Sequence, residues 1–199
     1  MSRKLDSKFY INSLEEDIYQ NREKTLLLVV DEQPKLMKTM ENGEKTVTNT
    51  ITLLKAFKEY DMNYLATEQY PKGLGRSDDR LLDLIEDEKI FAKTLFDAAI
   101  PEVRDYIEEK EITKVLVVGA EGHVCIYQTV RSLLDMGLEV FLVEDAVSSF
   151  TEDLKKTALA SLGQMGAVLV NTEMVLFDIA IDSKDPHFKF ISNLVKSLR

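Results

Sequence analysis

The chain has 199 residues, 45 % of them hydrophobic and 30 % charged, enough for a sizeable core and read as one domain over 1–199. A formal net charge of −10, from 25 Lys and Arg against 35 Asp and Glu, opposes a nucleic-acid partner, because phosphate binding needs a basic surface. One cysteine and two histidines, sixty-four positions apart, exclude an intrachain disulfide and argue against a zinc site.

No run approaches the roughly eighteen apolar residues of a membrane helix, so no membrane partner is expected. The stretch MSRKLDSKFYINSLEEDIYQNREK is polar and lacks the apolar centre of a signal peptide, which predicts a cytoplasmic protein. Residues 1–24 read as an arm that packs on the domain or on a neighbour. TLLLVVDEQ (25–33) is a short apolar run of the kind a strand buried on both faces shows. Val47, Ile51, Leu54 and Phe57 then recur at helical spacing, and MNYLATEQ is a second strand. PKGLG (71–75) is turn chemistry. SDDRLLDLIED opens on a Ser/Asp cap and predicts a helix with Leu81, Leu84 and Ile85 on one face.

KIFAKTLFDAA holds a short strand ending near Lys93, and IPEVRDYIEEKEI begins a helix on proline. KVLVVGAEG is the strongest strand signal in the chain, and CIYQTVRSLLDMG is its helix, closed by Gly137. LEVFLVEDAVSSF gives another strand and loop, with Asp145 at the strand's end bracing the next segment. TEDLKKTALASLGQMG is a helix ended by Gly163 or Gly166, AVLVNTEMVLFDIA a last strand and helix, and DPHFKFISNLVKSLR a terminal helix or tail. This alternation predicts an α/β fold with a mainly parallel sheet and helices on both faces.

Ligands of open α/β sheets bind beyond the carboxyl ends of the strands. Asp31, Lys93 and Cys125 all stand at such ends. An acid, a base and a thiol in one crevice suit nucleophilic catalysis. The helix dipole and an ammonium favour the thiolate, Asp31 takes the thiol proton, and the backbone N–H groups of Glu121 and Cys125 can hold an oxyanion. Each residue also has a plain reading. A lone cysteine is commonly a small buried hydrophobe, Asp31 can cap a helix, and Lys93 can be solvated.

Taken together, LLLVVDEQPKLM, FAKTLFDA and VVGAEGHVCIYQTVRSLLDMGLEVFLVEDAVSS resemble the isochorismatase-like cysteine hydrolase superfamily. TEQYPKGLG and DPHFKFISNLVK resemble its isochorismatase-domain-containing branch more narrowly, and the likeness spans 24–198. The resemblance implies a Rossmann-like three-layer α/β/α sandwich of about six strands and an Asp–Lys–Cys triad at Asp31, Lys93 and Cys125. It also implies a cis peptide between Ala120 and Glu121, and a homo-oligomer. Members that hold a metal do so through histidines between the first two catalytic positions. None stands there in this chain, so no metal and no other cofactor is expected.

Gln33, Glu68 and Tyr70 also sit past strand ends and are possible pocket residues, as is Phe96, for which core packing is the other reading. His123 reads as a turn or interface residue, because neighbours two apart do not face each other on a helix. His187 and Phe188 read as packing or oligomer contacts. The function expected is hydrolysis of a small carbonyl compound, an amide, through an acyl-enzyme on Cys125. The alternative is a non-catalytic oligomeric binding or scaffold protein on the same fold. A nuclease-like role is opposed by the charge.

Overall fold

A computed structural model describes residues 10–11 and 22–199. Six apolar runs form the strands β1 (Thr25–Val30), β2 (Asn63–Gln69), β3 (Ile90–Lys93), β4 (Lys114–Gly119), β5 (Glu139–Val147) and β6 (Val168–Val170). All neighbours pair in parallel, in the order β3-β2-β1-β4-β5-β6. β1 and β4 are buried at every residue, as central strands covered on both faces must be.

Successive side chains of a strand point to opposite faces, and β1 divides its residues accordingly. Leu27 and Val29 join a core with α2 (Gly43–Glu59), α8 (Thr172–Ala180) and α9 (Phe188–Ser197), through Leu54, Phe57, Leu176 and Ile191. Leu26, Leu28 and Val30 join a second core with α5 (Pro101–Glu109), α6 (Cys125–Asp135) and α7 (Glu152–Met165), through Val103, Ile126, Val130 and Leu162. These are the three layers expected. The chain steps outward from β1 to β3, then returns across the sheet to β4. The order therefore reverses between β1 and β4, and a crevice opens at their carboxyl ends.

Several elements differ from the sequence reading. The helix expected over SDDRLLDLIED is the single turn α4 (Asp79–Leu82), capped by the Asp78 carboxylate on Arg80 N–H, with a separate 3₁₀ turn at Asp87–Lys89. Glu86, between the two turns, is held back against β2 by the Tyr64 hydroxyl at 2.8 Å. The two proline-led stretches form one-turn helices, α1 (Pro34–Met37) and α3 (Pro71–Leu74). β5 continues past Asp145 to Val147, so Asp145 lies within a strand. It still braces the next segment, accepting from the N–H and hydroxyl of Thr172, each at 2.8 Å.

Gly166, at φ +115, ends α7, and the C-terminal stretch is a helix. His187 is a packing residue, its Nδ1 2.6 Å from Glu59 Oε1 and its ring 5.0 Å from that of Tyr60. Of the expected N-terminal arm, residues 1–9 and 12–21 lie outside the described residues. Ile11 is buried in the first core, and its N–H donates to Asp178 Oδ2 at 2.7 Å. Among the described residues no helix is long and apolar enough to cross a membrane.

Candidate active site

Asp31 is the first residue beyond β1. Its φ of 55 lies in the left-handed region, which Asp tolerates better than most residues, and it turns the chain at the sheet's edge. Its N–H donates to the Thr67 carbonyl of β2 at 3.1 Å, and the Thr67 hydroxyl donates to Oδ1 at 2.8 Å. The other oxygen, Oδ2, accepts from Lys93 Nζ at 2.6 Å.

Lys93 ends β3, two strands away from β1. It reaches Asp31 across the end of β2, where it pairs in register with Gln69. Its ammonium also donates to Gln69 Oε1 at 2.7 Å and to the carbonyls of Leu95 and Phe96 at 3.1 and 3.2 Å. Both side chains of the pair are dry, 1 % exposed for Lys93 and 0 % for Asp31. A buried charge without partners is costly, so each carries several. Burial pushes the Asp31 carboxyl up, against the pull of Lys93 and of the hydrogen bonds from Thr67 and Cys125.

Cys125 opens α6 after a tight turn from β4. Gly119 stands at φ +115 against Val30, where a Cβ would fall 2.0 Å from the Val30 carbonyl oxygen. The Ala120–Glu121 peptide is cis, as the resemblance implied. Gly122 lets β5's exit loop approach, since a Cβ there would meet Ser149 Oγ at 2.7 Å. The Glu121 carbonyl accepts from Val124 and Ile126, which fixes the entry to α6. The thiol is buried, within reach of the Asp31 and Lys93 charges.

The helix N-terminus is not the strongest influence on Cys125. Burial first, and the Asp31 charge second, push the thiol up to about 12, against the pull of Lys93. Burial therefore favours the neutral thiol, with a carboxylate beside it to take its proton. Neither the Glu121 N–H nor the Cys125 N–H has a backbone acceptor among the described residues, so both groups expected to hold an oxyanion are open.

The other candidates separate into braces and rim. Gln33 is fully buried, its amide donating to the carbonyls of Gln69 and Gly75 at 3.0 and 2.6 Å and accepting from Gln69 N–H at 2.8 Å. Glu68 is buried too, its Oε1 taking the Ser77 N–H at 2.8 Å, the Ser77 hydroxyl at 3.1 Å and Arg76 Nε at 3.2 Å. Both brace neighbouring segments, Gln33 through both ends of its amide and Glu68 through Oε1. Tyr70 and Phe96 are about half exposed, so Phe96 is not a core residue. Each adjoins Lys93, whose carbonyl accepts from Tyr70 N–H and whose ammonium donates to the Phe96 carbonyl. His123 lies beside Glu121, its Nε2 3.9 Å from Glu121 Oε2.

The isochorismatase domain model matches residues 25–174, three quarters of the chain and all three strand-end residues. The chain belongs to the isochorismatase family. It is 36 % identical over 172 residues to isochorismatase domain-containing protein 2 of Danio rerio, covering 86 % of both chains. Among solved structures, it is similar to the MAR1 ribonuclease of Caenorhabditis elegans, with TM-score 0.83, 33 % identity, and 88 % of this chain and 91 % of that one covered. The YcaC gene product of Escherichia coli, described as an octameric hydrolase of unknown specificity, shares the fold at TM-score 0.78 and 21 % identity over 88 % of this chain and 94 % of that one. The family resemblance and its branch thus hold, and the chain carries an isochorismatase-family hydrolase fold.

Within this isochorismatase domain, the sequence reading missed Thr67 and underused Gln69. Both touch the Asp31–Lys93 pair from β2. Strand spacing gives no strand order. Had β2 been placed between β1 and β3, its last residues would have been the obvious partners.

Proposed function

We propose that this isochorismatase-family protein is a cysteine hydrolase of small carbonyl compounds, of amide type, working as one domain in a homo-oligomer. One observation carries the reading: a fully buried carboxylate, Asp31, bonded to the Lys93 ammonium and close enough to the only thiol of the chain for its charge to act on it. A dry carboxylate whose affinity for protons is raised is a suitable general base for a neutral thiol.

Asp31 takes the Cys125 proton as sulfur attacks the carbonyl carbon and the carbonyl electrons move to oxygen. The Glu121 and Cys125 N–H groups stabilise that oxyanion. Asp31 then passes the proton to the leaving nitrogen, the C–N bond breaks and a thioester remains. Water attacks the thioester, giving its proton to Asp31, which returns it to sulfur as the acid departs. Lys93 holds Asp31 in place throughout and balances its charge. The oligomer is supported by the octameric YcaC hydrolase of the same fold.

The test is a panel of small amides and esters, read by intact mass and by product release. Wild type is expected to show an acyl adduct on Cys125 and turnover, and Cys125→Ala neither. Turnover surviving in Cys125→Ala overturns the covalent mechanism. A thiol that alkylates without any turnover across the panel favours the binding or scaffold reading instead. The ribonuclease name of the Caenorhabditis elegans relative gives a third arm, RNA cleavage, against which the net charge of −10 weighs.

A further inference from the structure

Lys93 and Cys125 lie on different elements, yet the loop after Lys93 is fastened to the helix that Cys125 begins. The Thr129 hydroxyl, fully buried on α6, donates to the Cys125 carbonyl at 2.7 Å. That bond alone is ordinary, since a helical threonine often bonds the carbonyl one turn back. The same oxygen also accepts the Ala98 N–H at 2.8 Å, from a residue 31 positions earlier. One turn further along α6, the Ser132 hydroxyl donates to Asp97 Oδ2 at 2.6 Å, while Asp97 Oδ1 takes the Ala99 N–H at 2.7 Å.

The residues so fastened, Asp97 to Ala99, directly follow the two carbonyls of Leu95 and Phe96 that accept from the Lys93 ammonium. We propose that Thr129, assisted by Ser132, is a positioning residue that sets the Lys93 loop against the Cys125 turn and keeps water from the thiol. Neither hydroxyl touches the reacting atoms; both act through the loop. Thr129 has one proton to give and gives it to Cys125, so its lone pairs face Ala98, whose N–H is left buried and unpartnered without them. The inference rests on the reading of Cys125 as the reactive thiol, but not on any substrate.

Loosening the loop has two opposed consequences for Cys125. Water that enters stabilises the thiolate, and an ammonium less firmly held destabilises it. Burial is the largest influence on this thiol, ahead of Asp31 and Lys93, so water decides the sign. The experiment is alkylation of Cys125 by iodoacetamide between about pH 6 and pH 10, beside thermal unfolding, for wild type and three variants. In Thr129→Val the rate at a given pH is expected to rise roughly tenfold, the effect of a thiol lowered by about one pH unit. Thr129→Ser keeps the hydroxyl and should match wild type. A Thr129→Val protein that melts earlier but alkylates at the wild-type rate overturns the proposal, as does a Ser variant that behaves like Val. If the Val variant fails to fold, Ser132→Ala must raise the rate in the same direction by a smaller factor, and an unchanged rate there also overturns it. Failure of the hydrolase reading is seen separately, as turnover in Cys125→Ala.

Discussion

The sheet buries a lysine at each end, and the two are used differently. Lys114 opens β4 at the amino edge and pairs with Glu139, its direct cross-strand neighbour in β5. Lys93 closes β3 at the carboxyl edge and pairs with Asp31, which belongs to a strand two places away. Both lysine side chains are dry, but Glu139 is 27 % exposed where Asp31 is wholly enclosed. A cross-strand pair with a wet carboxylate staples two strands together. A pair with a dry carboxylate, reaching across an intervening strand to lie beside a thiol, is a place where protons can be moved. Burial of the lysine does not separate the two; the surroundings of its partner do.

The sharpest way to break that contrast is Lys93→Met. It leaves the Asp31 charge buried without its cation, which should cost about 3–5 kcal/mol in denaturant unfolding at neutral pH. Turnover should fall by about 100- to 1,000-fold, the scale of a lost electrostatic partner in a closed site. The sign of the pH dependence is set by Asp31. Removing Lys93 removes a charge that holds this carboxyl down, so the proton is taken up more readily and the stability loss shrinks as the pH is lowered. A variant equally destabilised at every pH would mean that the charge of Asp31 is not what Lys93 answers.

The contrast was half legible in the sequence. Apolar runs separated by amphipathic stretches announced a parallel sheet, and Asp31, Lys93 and Cys125 stood out because each comes after such a run. Lys114 also begins an apolar run, yet nothing marked it as buried, because its burial depends on Glu139 being the neighbour across the ladder. Thr67 and Thr129 were invisible, and Gln69 was legible only as a residue at the sheet's ligand-binding edge, for the same reason: their roles exist only once strand order and helix register are set. Gln33 and Glu68 were legible as polar residues at a strand end, but not as braces, since their partners lie 36 to 42 and 8 to 9 positions away, at the end of β2 and in the segment that follows it. The upward push on the thiol was not legible, because the helix dipole can be seen in a sequence and the depth of burial cannot.

A third buried ionisable group at the carboxyl edge sharpens the comparison, because no cation is bonded to it among the described residues, Arg80 acting only at a distance. Glu32 comes directly after Asp31, is 1 % exposed, and accepts the Thr50 hydroxyl at 2.5 Å on one oxygen, while the other has no partner among the described residues. Burial pushes its carboxyl up to about 8 from 4.5. The folded protein therefore binds a proton that the unfolded chain releases between those values. Stability from this group is full below about 4.5, declines as the pH rises, and is gone above about 8. Glu32→Gln removes the slope. Unfolding measured at several pH values should show wild type losing on the order of 3 kcal/mol relative to the Gln variant between pH 5 and pH 8. Parallel curves for the two proteins would show that Glu32 is ionised in the fold.

The smallest effect belongs to the other edge. Lys114→Met removes the ammonium from Glu139, a carboxylate that already reaches water and can be solvated when its partner is gone. The loss should be on the order of 1 kcal/mol, near the range of exposed pairs rather than buried ones. The methionine occupies a similar volume between β1 and β5, so packing is largely kept. Turnover and the alkylation rate of Cys125 should stay at wild-type values, because Lys114 stands at the opposite end of β4 from the turn that carries the thiol. Comparing this variant with Lys93→Met in one denaturation series, with alkylation alongside, tests the whole distinction. If Lys114→Met also altered the thiol, the two ends of β4 would be coupled through the strand, and the amino-edge pair would be part of the site's machinery rather than a staple.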